Sequence, residues 1–256
     1  MAGAAAVALV TAGVAVVAGG GDPGAGEADT ATTAPAAPST TTLPAVTAER
    51  AFPLAAQRLT EAGSFSYSGS VSATDVSHVR PMLWLAVSST VEGQVATASH
   101  RLHEVAVAAD GAAAETIAVG DAVWGRRAPA RDALDGVAYD PVPGLSGPGS
   151  AGGDPALVPP ARGAALLPAW LRAAAGSAEI APDDQGRRRF QATIPAAALG
   201  PIERERPPVD ATVVLTLDAS GTPLRVEISS APGDPRLHVA YDIARLGEPV
   251  AVEPPA

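Results

Sequence analysis

The side chains able to do chemistry are few, and their spacing decides what chemistry is open to them. The chain has four histidines, His78, His100, His103 and His238, and no cysteine. His100 and His103 are three apart in what reads as an extended run, so their rings point to opposite faces and cannot chelate one ion together. The missing thiol excludes disulfides, thiolate zinc sites and a cysteine nucleophile. Asp132 with Asp135, and Asp183 with Asp184, are the candidate carboxylate pairs. Both sit in turn-like surroundings, where aspartate serves to cap backbone N–H groups. Arg126-Arg127 and Arg187-Arg188-Arg189 read either as contacts for anionic headgroups or as solvated strand ends. There is no Gly-x-Ser-x-Gly, no His-Glu-x-x-His, no phosphate loop and no dinucleotide fingerprint. The expectation is a protein that is not an enzyme and needs no metal or cofactor. A net charge of −10 argues against a general nucleic-acid partner.

The elements that would position these residues are mostly strands. In Val213–Ser229, Val213, Leu215 and Leu217 alternate with Val214, Thr216 and Asp218. After Asp-Ala-Ser-Gly-Thr-Pro the alternation resumes, with Leu224, Val226 and Ile228 against Arg225, Glu227 and Ser229. Period two on both arms means two strands with one buried face each, and Gly221 supplies the positive φ of the turn. Ser64–Val71 is a second clean strand, with Phe65, Tyr67 and Val71 on one face and serines on the other. Pro81–Val91 is a strand region apolar on both faces, with Trp84 opposite Leu83 and Leu85. Gln94–Trp124 reads as a meander with turns at Asp110-Gly111 and Gly120-Asp121. Ala178–Ile180 and Arg189–Ile194 form another hairpin, and Leu237–Ile243 is the last strand.

Two helices complete the pattern. In Ala48–Ala62 the stripe is Leu54, Ala55, Leu59 and Ala62, with Gly63 at the stop, and Pro53 confines the regular part to the residues after it. In Arg162–Ala175 the stripe is Leu166, Leu167, Trp170, Leu171 and Ala174, with Gly176 ending the helix. Pro195–Leu199 is a single helical turn. Residues 140–155 form a long Gly/Pro loop, and the tail from Leu246 is extended and rich in proline.

The N-terminal segment is of another kind. Residues 1–20 are small and apolar, of a length between a signal-peptide core and a spanning helix. They read as a signal peptide or an N-terminal membrane anchor, and the poor cleavage site at Gly26-Glu27-Ala28 favours the anchor. Residues 21–47 are a disordered Thr/Pro/Ala linker, too polar to bury a core. Residues 48–256 are the folded domain.

The order of five segments carries a resemblance. They are Ala-Gly-Ser-Phe-Ser-Tyr-Ser-Gly-Ser-Val closing the first helix, Ile117–Trp124, the Leu-Pro-Ala-Trp-Leu run at Leu167–Leu171, the hairpin at Val213–Ser229, and the closing Tyr-Asp-Ile-Ala-Arg-Leu-Gly-Glu-Pro-Val. Together these resemble the actinobacterial envelope lipoproteins of the LppX/LprG type, relatives of the LolA-like half-barrel carriers. The chain departs from that family in lacking a lipobox cysteine. The resemblance implies an α+β fold, a strongly curved antiparallel sheet (a half-barrel) wrapped over a few helices with an apolar cavity between. It implies a secreted or envelope-bound module that binds an acyl lipid or glycolipid, with no catalytic residues. The positions it would place at the cavity are Phe65, Tyr67, Trp84, Leu85, Leu167, Trp170, Leu171 and Tyr241. The alternative is a membrane-tethered sensory or protein-interaction domain with a filled core and an envelope protein as partner.

Overall fold

The computed structural model describes residues 46–73, 88–142, 160–199, 210–230 and 237–255. All of them lie in one compact unit, Leu43–Ala256. In chain order the elements are α1 (Ala48–Ala62), β1 (Ser64–Ala73), β2 (Ser88–Ala96), β3 (Arg101–Ala108), β4 (Ala113–Val119), β5 (Ala122–Ala128), a 3-10 helix (Arg131–Gly136), β6 (Asp140–Pro141), α2 (Pro160–Ala173), β7 (Ala175–Ile180), β8 (Arg188–Ile194), α3 (Ala196–Leu199), β9 (Ala211–Leu217), β10 (Pro223–Ser230) and β11 (Leu237–Ala244).

The eleven strands form one sheet in the order β6-β5-β4-β3-β2-β1-β11-β10-β9-β8-β7, every neighbouring pair antiparallel. Helix α2 touches β2 and β3 on one side and β8 on the other. On a flat sheet β3 and β8 would stand six strand spacings apart, about 29 Å. A helix is only about 10–12 Å across. The sheet therefore curves around the helices, and its edges β6 and β7 stay unpaired with each other. This is the half-barrel α+β architecture that the resemblance implies. No helix among the described residues is long and apolar enough to cross a membrane, which says nothing of strands.

The core fills the inner face. Phe65, Tyr67 and Val71 of β1, Val213, Leu215 and Leu217 of β9, Val226 and Ile228 of β10, and Tyr241 and Ile243 of β11 all belong to it. The helices complete it with Ala51, Phe52, Ala55, Ala56 and Leu59 from α1 and Ala164, Leu167 and Leu171 from α2. Small residues on both helices allow them to lie close, and α1 packs directly on α2.

Several local readings change. Helix α1 runs through Pro53, whose ring is exposed. The proline removes one backbone hydrogen bond, and the burial of Phe52 and Leu59, worth about 1.5–3 kcal/mol each, offsets the loss. The buried stripe is also rotated, so Ala51, Phe52 and Ala56 are buried while Leu54 and Ala62 are half-buried. Gly176 does not end α2. It sits at φ 69° inside β7, where the pairing with β8 slips between Ala175 and Ala178. His100 is not in a strand but in the β2–β3 turn, at φ 51°. Leu224 is displaced from the buried stripe by an irregularity between Pro223 and Arg225, which sets Pro223 opposite Leu217. Residues 81–87, most of the 140–155 loop and the N-terminal 1–45 lie outside the described residues.

The β9–β10 hairpin keeps its turn chemistry. Asp218 Oδ1 accepts hydrogen bonds from the Ser220 and Thr222 backbone N–H groups at 2.8 Å each. Gly221 takes φ 82° against Leu54 of α1, locking the turn onto the helix.

Candidate functional site

The inner face brings together five of the eight residues expected at a cavity. Phe65, Tyr67, Leu167, Leu171 and Tyr241 all belong to the single core between sheet and helices, and Trp170 packs against its rim, half-buried. Trp84 and Leu85 lie outside the described residues. Phe65, Leu167 and Leu171 are 0 % exposed, Tyr241 1 % and Tyr67 3 %. A space large enough for water would leave accessible area on the side chains around it. In this conformation these five pack against protein atoms.

Within that apolar body stands one polar arrangement. Glu104 of β3 shares the inner face with Leu102 and Ala106 and is itself only 2 % exposed. The Tyr67 hydroxyl donates to its Oε2 at 2.7 Å. To get there the tyrosine crosses β2 over Gly93, which is the register partner of both Tyr67 and Glu104. Tyr241 meets the Tyr67 ring edge to face, centroids 5.4 Å apart. Burial, and then the nearby Glu104, pushes both phenols well above their ordinary titration range. Each tyrosine is therefore a permanent O–H donor at physiological pH. Neither Glu104 nor Gly93 stands out in the sequence.

The outer face carries a second feature. Glu92, Val105, Glu115 and Arg126 form one cross-strand row over β2, β3, β4 and β5. Arg126 Nε lies 2.5 Å from Glu115 Oε2, His103 Nε2 lies 2.6 Å from Glu115 Oε1, and Arg126 stacks 4.5 Å from the Tyr139 ring. Burial pushes the Glu115 carboxyl up, but hydrogen bonds from His103, Arg126 and Tyr139 outweigh it and hold the group below the usual range. Burial and the bond to Glu115 push Tyr139 up to about 12. The 3-10 helix lies over this row, with Leu134 buried beneath it against Val105, Ala113 and Ala128. Arg131 pairs with Glu92, and Asp135 with Arg126 at 3.5 Å. An open hollow of about 580 Å³ lies between these groups.

Several of the other chemical candidates take structural roles, and His78 lies outside the described residues. Asp183 Oδ1 accepts from the backbone N–H groups of Gln185 and Arg187, and its Oδ2 takes the Arg187 guanidinium at 2.6 Å. Arg188 pairs with Glu179, and Arg189 lies 3.9 Å from Glu227. His238 shares a hydrogen bond with Ser229. Among the described residues no group of three or more His, Cys, Asp or Glu is placed to hold a metal ion.

No protein-family model matches the chain, and no curated protein matches it. Among solved structures it is similar to LppX. That Mycobacterium tuberculosis lipoprotein aligns at 13 % identity and a TM-score of 0.47, over 79 % of this chain and 96 % of its own. A LolA superfamily protein from Nitrosomonas europaea aligns at 12 % identity and a TM-score of 0.31, over 78 % of this chain and 93 % of its own.

Proposed function

We propose that the chain is a non-enzymatic extracytoplasmic module that holds an acyl lipid or glycolipid between its sheet and its helices, tethered by its N-terminal apolar segment. One observation carries this reading. Phe65, Tyr67, Leu167, Leu171 and Tyr241 converge from β1, β11 and α2 into one apolar body on the concave side of an open sheet. A layer held to the sheet by apolar side chains, with no disulfide across it, parts at the cost of those contacts, and an acyl chain replaces them in kind. The test is native mass spectrometry of the protein purified from the envelope of its own host, paired with a solvent extract. A bound acyl species, released when the protein unfolds, supports the module. Bare protein in both measurements overturns it.

The near-zero exposure of the same five side chains favours a second reading, a tethered sensory or protein-interaction domain with a permanently filled core. In-cell crosslinking from the exposed face of the domain distinguishes the two. A captured envelope protein together with a lipid-free core supports this second reading, and absence of any captured protein sinks it.

A further inference from the structure

The arginine run at 187–189 splits three ways in the fold. Arg187 is engaged by Asp183 beside the β7–β8 turn, and Arg189 sits on the outer face, 3.9 Å from Glu227. Arg188 alone turns to the concave side. Its register partner is Leu217, next in the row to the pairing of Phe190 with Leu215, and its guanidinium carbon lies 5.0 Å from the Phe190 ring centroid. Phe190, Leu215 and Leu217 are core residues at 0 %, 0 % and 1 % exposure. One strand further out the cover stops. Glu179 of β7 is the register partner of Phe190, so it shares the concave face, yet its side chain is 47 % exposed. The apolar body therefore ends on this side in a step between two paired residues, from buried Phe190 to solvated Glu179. Arg188 lies across that step with its side chain 36 % exposed.

The guanidinium is only partly used. Glu179 takes Arg188 Nε and Nη2 at 2.8 Å each, which is the side-on fork. The end-on fork, one N–H from each Nη, meets no partner among the described residues. The stem lies against apolar surface while the charge stays at water, which is how an amphiphile is seated at such an edge, chain on the ring and head at the cation. We propose that Arg188 is the head-group anchor of the module: an acyl chain ending in a carboxylate enters along Phe190 at the β7 edge, and its carboxylate takes the end-on fork. This rests on the lipid-binding reading above and adds an entry side and a charge preference to it. The planar fork matches the two oxygens of a carboxylate, where a lysine would offer a point charge. Glu179 is then a competitor: it holds the guanidinium in place without ligand and repels a second carboxylate beside it.

Oleate and methyl oleate share one chain and differ in the charge of the head. Binding of each to the delipidated full chain is measured at neutral pH by displacement of a neutral fluorescent fatty-chain probe and by native mass spectrometry. Oleate is expected to bind about threefold to tenfold tighter than its ester, the range open to an ion pair at a partly exposed site, and added salt should shrink that ratio. Arg188→Gln is expected to abolish the ratio and Arg188→Lys to recover part of it. Glu179→Gln, which removes the competitor, is expected to widen it. Equal binding of oleate and ester by the wild type, or a preference that survives Arg188→Gln, overturns the anchor while leaving lipid binding intact. Binding of neither overturns the lipid-binding reading and the anchor with it. If Arg188→Gln fails to fold, Glu179→Gln decides: a ratio that it narrows or leaves unchanged overturns the anchor.

Discussion

Tyr67 and Gly93 occupy one space: the tyrosine's hydroxyl and Cζ lie where a β-carbon on residue 93 would be, at 2.5 and 2.6 Å. The carbonyl oxygen of His103 closes the same position from the other side, also at 2.5 Å. The glycine is required here for room. Its φ is not in the left-handed region, so a side chain is excluded by contact and not by backbone strain.

Gly93→Ala consequently forces Tyr67 off Glu104 or pushes β2 from β3. Overpacking of this kind costs about 1–3 kcal/mol. The expected result is a lower urea midpoint with an unchanged m-value. Gly136 offers the control, because a β-carbon there meets nothing within 4 Å. A Gly93→Ala midpoint no lower than that of Gly136→Ala would show that the close approach has no energetic weight.

The three tyrosines of the chain, Tyr67, Tyr139 and Tyr241, all have raised titration points in the folded state, Tyr139 at about 12. A group raised above its unfolded value stabilises the fold fully below that unfolded value, and the contribution disappears as pH rises through the folded one. Alkaline titration followed at the tyrosinate absorbance band should therefore show no phenol ionising at its ordinary value of 10 while the protein is folded. Tyrosinate is expected to appear together with loss of the near-ultraviolet circular dichroism. One phenol titrating near 10 with the fold intact would contradict the burial of that residue.

Glu115 works in the opposite direction. Its carboxyl is held below the ordinary 4.5 by His103, Arg126 and Tyr139 against the effect of burial. A depressed acid contributes stability above its unfolded value and loses it as pH falls through the folded one. Glu115→Gln is expected to be less stable than the wild type at pH 7, and the two stability curves should converge as pH falls below 4.5. Urea midpoints across that range check it. Parallel curves would mean that the row Glu115–Arg126 is not linked to folding.

How much of this was legible in the sequence depends on how many faces each strand buries. In β1 one parity is apolar and the other is serine, and in β9 Val213, Leu215 and Leu217 alternate with a parity that holds Thr212 and Thr216 beside Val214, so their faces could be assigned at once. In β3 both parities carry apolar residues: Leu102 and Ala106 face the main core, while Val105 and Val107 join the small outer cluster under Leu134. That second cluster hides the period, and with it the fact that Glu104 points inward. The 3-10 helix itself has no repeat for periodicity to detect. The Pro223–Arg225 irregularity is invisible for a different reason, since alternation in the sequence reads straight through a slipped register. The apolar set at the interior was legible because Phe65, Tyr67, Leu167, Leu171 and Tyr241 each sit on a strongly one-sided element. The polar row was not, because it exists only once three strands are in register.

The outer strap separates two kinds of contact that look equally substantial. Arg131 reaches Glu92 from one end of the 3-10 helix, but both side chains are about half exposed, at 55 % and 49 %. An exposed pair of this kind is worth about 0–1 kcal/mol, because water screens it and ordering two long side chains has an entropic cost. Leu134, at 4 % exposure, holds the same helix down through apolar contact with Val105, Ala113 and Ala128. Truncating a buried leucine costs about 2–5 kcal/mol, and the lower end applies to a cluster this small. Leu134→Ala is thus expected to destabilise the domain several times more than Arg131→Ala and to raise amide exchange across Ala130–Val137. Hydrogen exchange with mass readout on both variants measures the two directly. If Arg131→Ala loosens that segment as much as Leu134→Ala does, the strap is held by charge, and its protection should then fall with added salt.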